Sequence, residues 1–153
     1  MTCCGRSNPV REFKAIAGYI AENYPSAGKI VEVGVGKMPE VAMELQDLLP
    51  ACEVIVTDVI KPPTLPERIK FVCDDVTKPN FRIYEGAALI YAMRPPPELQ
   101  PYLLKVAQVA GADLLIKPLA AESVPLRGGK LINYRGATFY MFERRLMEDK
   151  LSF

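Results

Sequence analysis

Apolar positions recur along this chain in two rhythms. Val10, Phe13, Ile16, Ala17, Ile20 and Tyr24 fall three or four residues apart, the spacing of one helical face over about residues 8–24. Ser7-Asn8-Pro9 precedes them, a capping side chain followed by proline at the first helical position, and Pro25 and Gly28 close the segment. The same rhythm returns in 39–49, with Val41, Leu45, Leu48 and Leu49 on one side. It returns again in 98–110, with Leu99, Tyr102, Leu103, Val106 and Val109 facing inward. Between these stretches lie short apolar runs of strand length at 29–33, 53–58, 69–73, 87–93 and 112–117. Ala87 to Met93 is nearly all apolar, as a strand buried on both faces must be.

The end of the chain changes pattern. Lys130 to Tyr134 and Ala137 to Glu143 are strand-like and flank Arg135-Gly136, a hairpin signal because glycine accepts the positive φ such a turn needs. Strands alternating with helices or short connectors predict an open α/β sheet. Right-handed crossovers make its first five strands parallel, and the 130–143 hairpin makes the last two antiparallel. The 153 residues suffice for one domain, taken as 1–153.

The connectors are short. Val59 to Arg68 is proline-rich and cannot form a regular helix, 77–86 has room for about two helical turns, and 120–129 is similarly brief. A sheet of this kind needs cover on both faces. Trimmed cover leaves part of a face open, and large apolar patches mark interfaces, so self-association or a protein partner is expected.

Composition narrows the function classes. Half the residues are hydrophobic and the formal net charge is +1, so no basic field advertises nucleic acid or membrane. No apolar run approaches the roughly 20 residues of a membrane span, and the first residues lack a signal-peptide core, so a cytoplasmic protein is expected. Of the four cysteines, Cys3 and Cys4 are adjacent, and no C-x-x-C spacing exists. With no histidine either, no metal site is expected, the cysteines read as free thiols, and any general base must be Asp, Glu, Tyr, Lys or Cys.

In open α/β sheets ligands bind at the carboxyl ends of the strands. After the first strand, V-E-V-G-V-G-K (31–37) places Gly34 and Gly36 before a helix. It is no Walker A loop: Val31 stands at the first-glycine position and Met38 where Ser or Thr is required. The dinucleotide fingerprint is met in part, with Pro39 in place of the third glycine that allows close helix–strand packing. The alternative is a plain tight turn. After the second strand, Asp58 lies 22 residues beyond Gly36, the spacing of an acid that accepts ribose hydroxyls, or else a solvated turn aspartate. After the third come Asp74 and Asp75, either an acceptor for an adenine amino group or a cap for the turn at 77–80.

E-V-G-V-G (32–36), with Asp58 and Asp74 or Asp75, resembles the cofactor half of class I S-adenosylmethionine-dependent methyltransferases. The resemblance implies that Glu32, Gly34, Gly36, Asp58, Asp74 and Asp75 line an adenosyl ligand, with S-adenosylmethionine the implied cofactor. More narrowly, 86–99, 115–119 and 130–140 are similar to a family of small uncharacterised archaeal proteins. That likeness runs nearly end to end. It implies a Rossmann-type, methyltransferase-like fold and brings no established reaction.

One departure falls where the chemistry would be. Amino-methyltransferases of nucleic acids often carry Asp or Asn before Pro-Pro-Tyr after the fourth strand, but this chain has Arg94-Pro95-Pro96-Pro97. Arginine has donors and no acceptor, so it cannot orient an amine in that way. Arg94, beside a helix start, and Lys117, ending the fifth strand, suit an anion of a second ligand, or else pair with Glu32 or Glu98. Tyr91 reads as core. Asn133-Tyr134, ending the sixth strand, reads equally as structure or site, which keeps Tyr134 with Arg94 and Lys117 as a catalytic candidate.

Two functions follow: an S-adenosylmethionine-binding protein acting as a methyltransferase on an unknown, anionic substrate, or a non-catalytic adenosyl- or adenine-nucleotide-binding module for regulation or assembly. A dinucleotide oxidoreductase ranks below both, because histidine, the third glycine and a substrate domain are all missing.

Overall fold

The computed structural model describes residues 9–36, 38–63, 65–120 and 126–145. Ser7, Asn8, Cys3, Cys4, Lys37 and part of the 120–129 connector lie outside them. In chain order the elements are α1 (Pro9–Asn23), β1 (Lys29–Val33), α2 (Glu40–Leu48), β2 (Glu53–Asp58), β3 (Lys70–Cys73), a 3-10 turn (Phe81–Tyr84), β4 (Leu89–Met93), a second 3-10 turn (Pro97–Leu99), α3 (Gln100–Ala110), β5 (Asp113–Lys117), β6 (Lys130–Tyr134) and β7 (Ala137–Phe142).

All seven strands form one sheet in the order β3-β2-β1-β4-β5-β7-β6. β1 pairs in parallel with both β2 and β4, β2 with β3, and β4 with β5. β7 is antiparallel to β5 on one side and to β6 on the other. The terminal hairpin therefore does not simply extend the sheet. Its second strand enters between β5 and β6, so β6 becomes the outer edge and runs in the same direction as β5.

Each face of the sheet has its own core. On one, Phe13, Ile16 and Ile20 of α1 and Val41 and Leu45 of α2 pack on Ile30, Val56, Leu89, Leu115 and Phe139. On the other, Leu103, Val106 and Ala107 of α3 and Tyr84 of the first 3-10 turn pack on Val31, Ile55, Ile90, Ile116 and Phe142. No helix lies between β2 and β3, as the prolines require.

Several expected boundaries and faces shift. Regular helix begins at Gln100 rather than 98, because Pro95, Pro96 and Pro97 remove three successive N–H groups and the chain first makes a 3-10 turn. Tyr102 and Val109 are exposed, not inward. α3 touches the sheet along the narrower stripe of Leu103, Val106 and Ala107. Val10 and Leu48 also face solvent, at the first turn of α1 and the last of α2. Ile69, Ala87 and Ala112 are buried just ahead of their strands rather than inside them.

The return into β6 runs close to the core. A Cβ on Gly129 would stand 2.6 Å from Cζ of Phe142, whose ring is 1 % exposed. Gly129→Ala is expected to lower stability by about 1–3 kcal/mol through overpacking. Urea unfolding followed by circular dichroism checks this, and an unchanged midpoint would show that the ring has room to give.

Candidate functional site

The carboxyl ends of β1 and β2 are tied together through backbone. The carbonyl of Thr57 accepts from the N–H of Gly34 at 2.9 Å and of Val35 at 3.0 Å, while the Thr57 hydroxyl donates to the carbonyl of Glu32 at 3.0 Å. Gly34 and Gly36 both have positive φ, 73° and 57°, so the turn requires glycine there. Neither would press a Cβ against anything, so the loop is open on its outer side.

Asp58 completes the loop. Its Oδ2 accepts from the Gly36 N–H at 2.8 Å and its Oδ1 from the Val59 N–H at 2.7 Å. Each oxygen keeps a further lone pair, so a hydroxyl donor could still be received. The Met38 N–H donates to Val35 O. Every described N–H from Gly34 to Met38 therefore has a protein acceptor. A phosphate cradle needs such donors aimed outward. This loop presents carboxylates instead.

Glu32 is completely buried. Its Oε1 accepts from the Tyr91 hydroxyl at 2.8 Å, across the β1–β4 register that pairs these two residues, and its Oε2 has no partner. Burial pushes the Glu32 carboxyl up to about 8; the Tyr91 hydrogen bond opposes the rise, and Glu40 and Asp58 add to it. Burial, then the facing Glu32, drives the Tyr91 phenol up as well. Tyr91 is core, as expected, but its hydroxyl is the polar tip that holds a buried acid.

The two acids after β3 have different work. Asp74 accepts from the Tyr84 hydroxyl at 2.6 Å and from the Asn80 N–H at 3.0 Å, which ties β3 to the first 3-10 turn. Burial and Asp74 together raise the Tyr84 phenol. Asp75 is exposed and accepts from both the N–H and the hydroxyl of Thr77. Those bonds hold its carboxyl below the usual range. The turn-capping alternative thus has visible bonds for both residues.

Arg94 and Lys117 are brought together, and neither pairs with Glu32 or Glu98. Both meet Glu12 of α1: Lys117 Nζ lies 2.8 Å from its Oε2, and Arg94 reaches 3.7 Å from its Oε1. Lys117 also donates to Thr138 O at 2.8 Å. Arg94 leans over the Phe13 ring at 5.9 Å, on the α1 face, away from the α3 start expected to share an anion with it. Its backbone has φ 55°, and its N–H donates to Lys117 O at 2.6 Å. Left-handed backbone is costly for arginine, so the two strand ends hold it there.

Glu12 was not among the sequence candidates. The one sign of it is position: residue 12 falls four before Ile16, on the apolar stripe of the helix, where a charge must find partners. Tyr134 stands apart from the glycine loop. It ends β6, four strand spacings from β1, or about 19 Å. Its ring meets Tyr19 edge-on at 5.4 Å and lies 5.0 Å from the Arg135 guanidinium.

A hollow of about 80 Å³ beside Gly34, lined by Val33, Met93, Arg94 and Leu99, adjoins the loop on the α3 side. A larger cavity, about 380 Å³, lies at the opposite end of the sheet. The chemistry at the strand ends, rather than cavity size, marks the loop as the candidate site.

The strand order, with an antiparallel seventh strand set between the fifth and sixth, is a Rossmann-like fold similar to that of class I S-adenosylmethionine-dependent methyltransferases. An O-methyltransferase family protein from Burkholderia thailandensis superposes with a TM-score of 0.60 at 12 % identity, covering 88 % of this chain and 57 % of that one. PigF with SAH gives 0.57 at 15 % identity, covering 85 % and 61 %. SAM-bound CalS10, an amino pentose methyltransferase from Micromonospora echinaspora, gives 0.55 at 14 % identity, covering 84 % and 59 %. The chain thus spans about three-fifths of each of these proteins.

The chain belongs to an uncharacterised protein family, UPF0146, which matches residues 13–144. The UPF0146 protein of Archaeoglobus fulgidus is 50 % identical over 129 residues, covering 84 % of this chain and 93 % of its own. UPF0146 protein PF0123 of Pyrococcus furiosus is 39 % identical over 133 residues, covering 85 % and 98 %. Both are archaeal, as the sequence resemblance implies.

The Glu32–Tyr91 pair sets a pH signature. The folded carboxyl binds its proton up to about pH 8, whereas an unfolded glutamate releases it near pH 4.3. Its contribution to stability is full below the lower value, declines as pH rises, and is lost once pH passes the upper one. Glu32→Gln is expected to flatten the fall in stability between about pH 5 and 8, read from urea midpoints across that range. Tyr91→Phe is expected to cost about 1–3 kcal/mol and to move the upper edge higher, since it removes the only bond favouring the ionised form. A midpoint profile that is the same in all three proteins would contradict the assignment.

Proposed function

We propose that the chain binds S-adenosylmethionine at the glycine loop between β1 and β2, and transfers its methyl group to a second ligand. The observation that carries this reading is the donor count of the loop. Its described N–H groups are engaged by Thr57, Asp58 and Val35, so it offers carboxylates to a ligand rather than donors. A pyrophosphate wants donors. An adenosyl sulfonium with ribose hydroxyls and an ammonium group wants acceptors. Asp58 would receive the ribose, and Glu32, with Oε2 unpartnered, would give up its proton as the cationic end arrives to face it. The cofactor, when bound, would supply an activated methyl group. The chain's own residues would orient it and exclude water.

A second ligand with an anionic group would meet Arg94 and Lys117, and would have to compete with Glu12 for them. That same contact supports the other reading, a non-catalytic adenosyl-binding module that regulates or assembles with a partner, since both cations are already satisfied internally. Arg94→Ala or Lys117→Ala would abolish methyl transfer under the first reading and leave cofactor binding intact under both.

The reading includes a cytoplasmic location, supported by the reduced Cys52 and Cys73. Among the described residues no helix is long and apolar enough to cross a membrane. It also includes self-association or a protein partner, supported by Tyr102 and Val109, exposed one heptad apart on α3, and by Val59 and Ile60 after β2. Sedimentation at high concentration should show a species larger than a monomer, and a lone monomer would remove this part.

Calorimetry with S-adenosylmethionine, S-adenosylhomocysteine, NAD and ATP tests the central proposal. The first two are expected to bind and the last two to fail. Asp58→Ala should abolish binding of the first two, having removed the acceptor for both the Gly36 N–H and the ribose. Absence of heat with every ligand would remove both readings and leave a fold kept without its cofactor.

A further inference from the structure

A cavity of about 380 Å³ lies at the end of the sheet away from the glycine loop, and nothing in the proposed activity uses it. The C-terminal turn of α1, the start of β6 and the end of β7 enclose about 380 Å³, within the range of roughly 300–1,000 Å³ typical of small-molecule sites.

Its floor is apolar and aromatic. Tyr19, Ile132 and Met141 line it, and Tyr19 is held by edge contacts to Phe139 at 4.9 Å and to Tyr134. Its rim is charged. Of the two acids there, Asp113 has both oxygens engaged, Oδ2 by the Tyr24 hydroxyl at 2.7 Å and Oδ1 by the Arg144 N–H at 2.8 Å. Glu143 accepts from Arg145 at 2.9 Å. Two cations remain. Arg144 donates from its guanidinium to Gly111 O, and among the described residues neither Arg144 nor Lys130 has an ion-pair partner. Neither donor to Asp113 carries a charge, so the rim sets three cations, Lys130, Arg144 and Arg145, against two acids, Asp113 and Glu143, and one positive charge is left over above an apolar floor.

We propose that this cleft is a second binding site, for a small anion that carries a flat apolar body, with Lys130 and Arg144 receiving the charge and Tyr19, Ile132 and Met141 the body. A carboxylate on an aromatic ring and a monophosphate on a nucleoside share this chemistry. The site is separate from the glycine loop by the length of the strands, and it stands or falls independently of cofactor binding there.

Isotope-labelled full-length protein titrated with benzoate, with AMP and with inorganic phosphate, and followed by NMR, tests it. At least one of benzoate and AMP should shift the Tyr19, Ile132 and Met141 signals saturably, with a Kd below about 1 mM. Lys130→Glu, an exposed position at a strand start, should weaken that binding about tenfold or more while leaving the remaining spectrum in place. Which of the two probes binds more tightly tells carboxylate from monophosphate. Phosphate binding as tightly as AMP would overturn the role of the floor. Shifts confined to Gly34 and Gly36, no saturable shift, or indifference to Lys130→Glu would overturn the site.

Discussion

A seven-stranded sheet has two faces to cover, and among the described residues three helices cover them. The described residues between β2 and β3 hold no helix, and α1 packs on the face that carries Leu89, Leu115 and Phe139. Glu12 fixes where it lies. The carboxylate is almost fully buried between Lys117 and Arg94, at the ends of β5 and β4, and so pins the first turn of α1 to the crest of the sheet. A charge in that setting is tolerable only because it is paired, and removing one partner of a buried pair commonly costs about 3–5 kcal/mol. The helix N-terminus favours the same negative charge. Position of the helix, neutrality of the crest and the left-handed backbone of Arg94 are one arrangement.

The acidic side of the crest obeys a different rule. There the backbone is satisfied first, and under the proposed function the side chains are left to face a ligand. Thr57 takes two N–H groups of the loop and Asp58 a third, so the turn stands without any bound group. Glu32 is the exception, a buried carboxyl that accepts one hydrogen bond at Oε1 and has no protein partner at Oε2. An unmet acceptor of this kind is costly in a core. It persists here at the foot of the loop where a cationic ligand would be received.

Much of this was legible in the sequence. The β6 limits follow from the turn at Arg135-Gly136, and the fully buried β4 from its unbroken apolar run. Asp58 follows from its spacing to Gly36, because a strand, a helix and a second strand of ordinary length bring the two together. The position of β7 was not legible. Alternation tells which face a strand buries, not which neighbour it takes, and β7 pairs on both sides. Glu12 was hidden for a related reason: its partners lie about 80 and 105 residues away along the chain, beyond any local pattern. Asp74 and Asp75 read equally as cap or ligand until Tyr84, Asn80 and Thr77 supplied the donors. Tyr102 and Val109 misled because a helix alone on its face buries a narrower stripe than its composition suggests.

The placing of β7 bears on how the chain comes off the ribosome. Strands β1 to β5 can each join an open edge in the order in which they are made, β4 adding to the free side of β1. β6 cannot, since the place next to β5 belongs to a strand not yet synthesised. Until residues 137–142 emerge, the outer edge of β5 carries a row of unpaired N–H and C=O groups, and β6 has nothing to pair with. Closing the sheet is therefore a late event, and a nascent chain paused before that point exposes the edge of a strand with a buried centre to any neighbour that can add one.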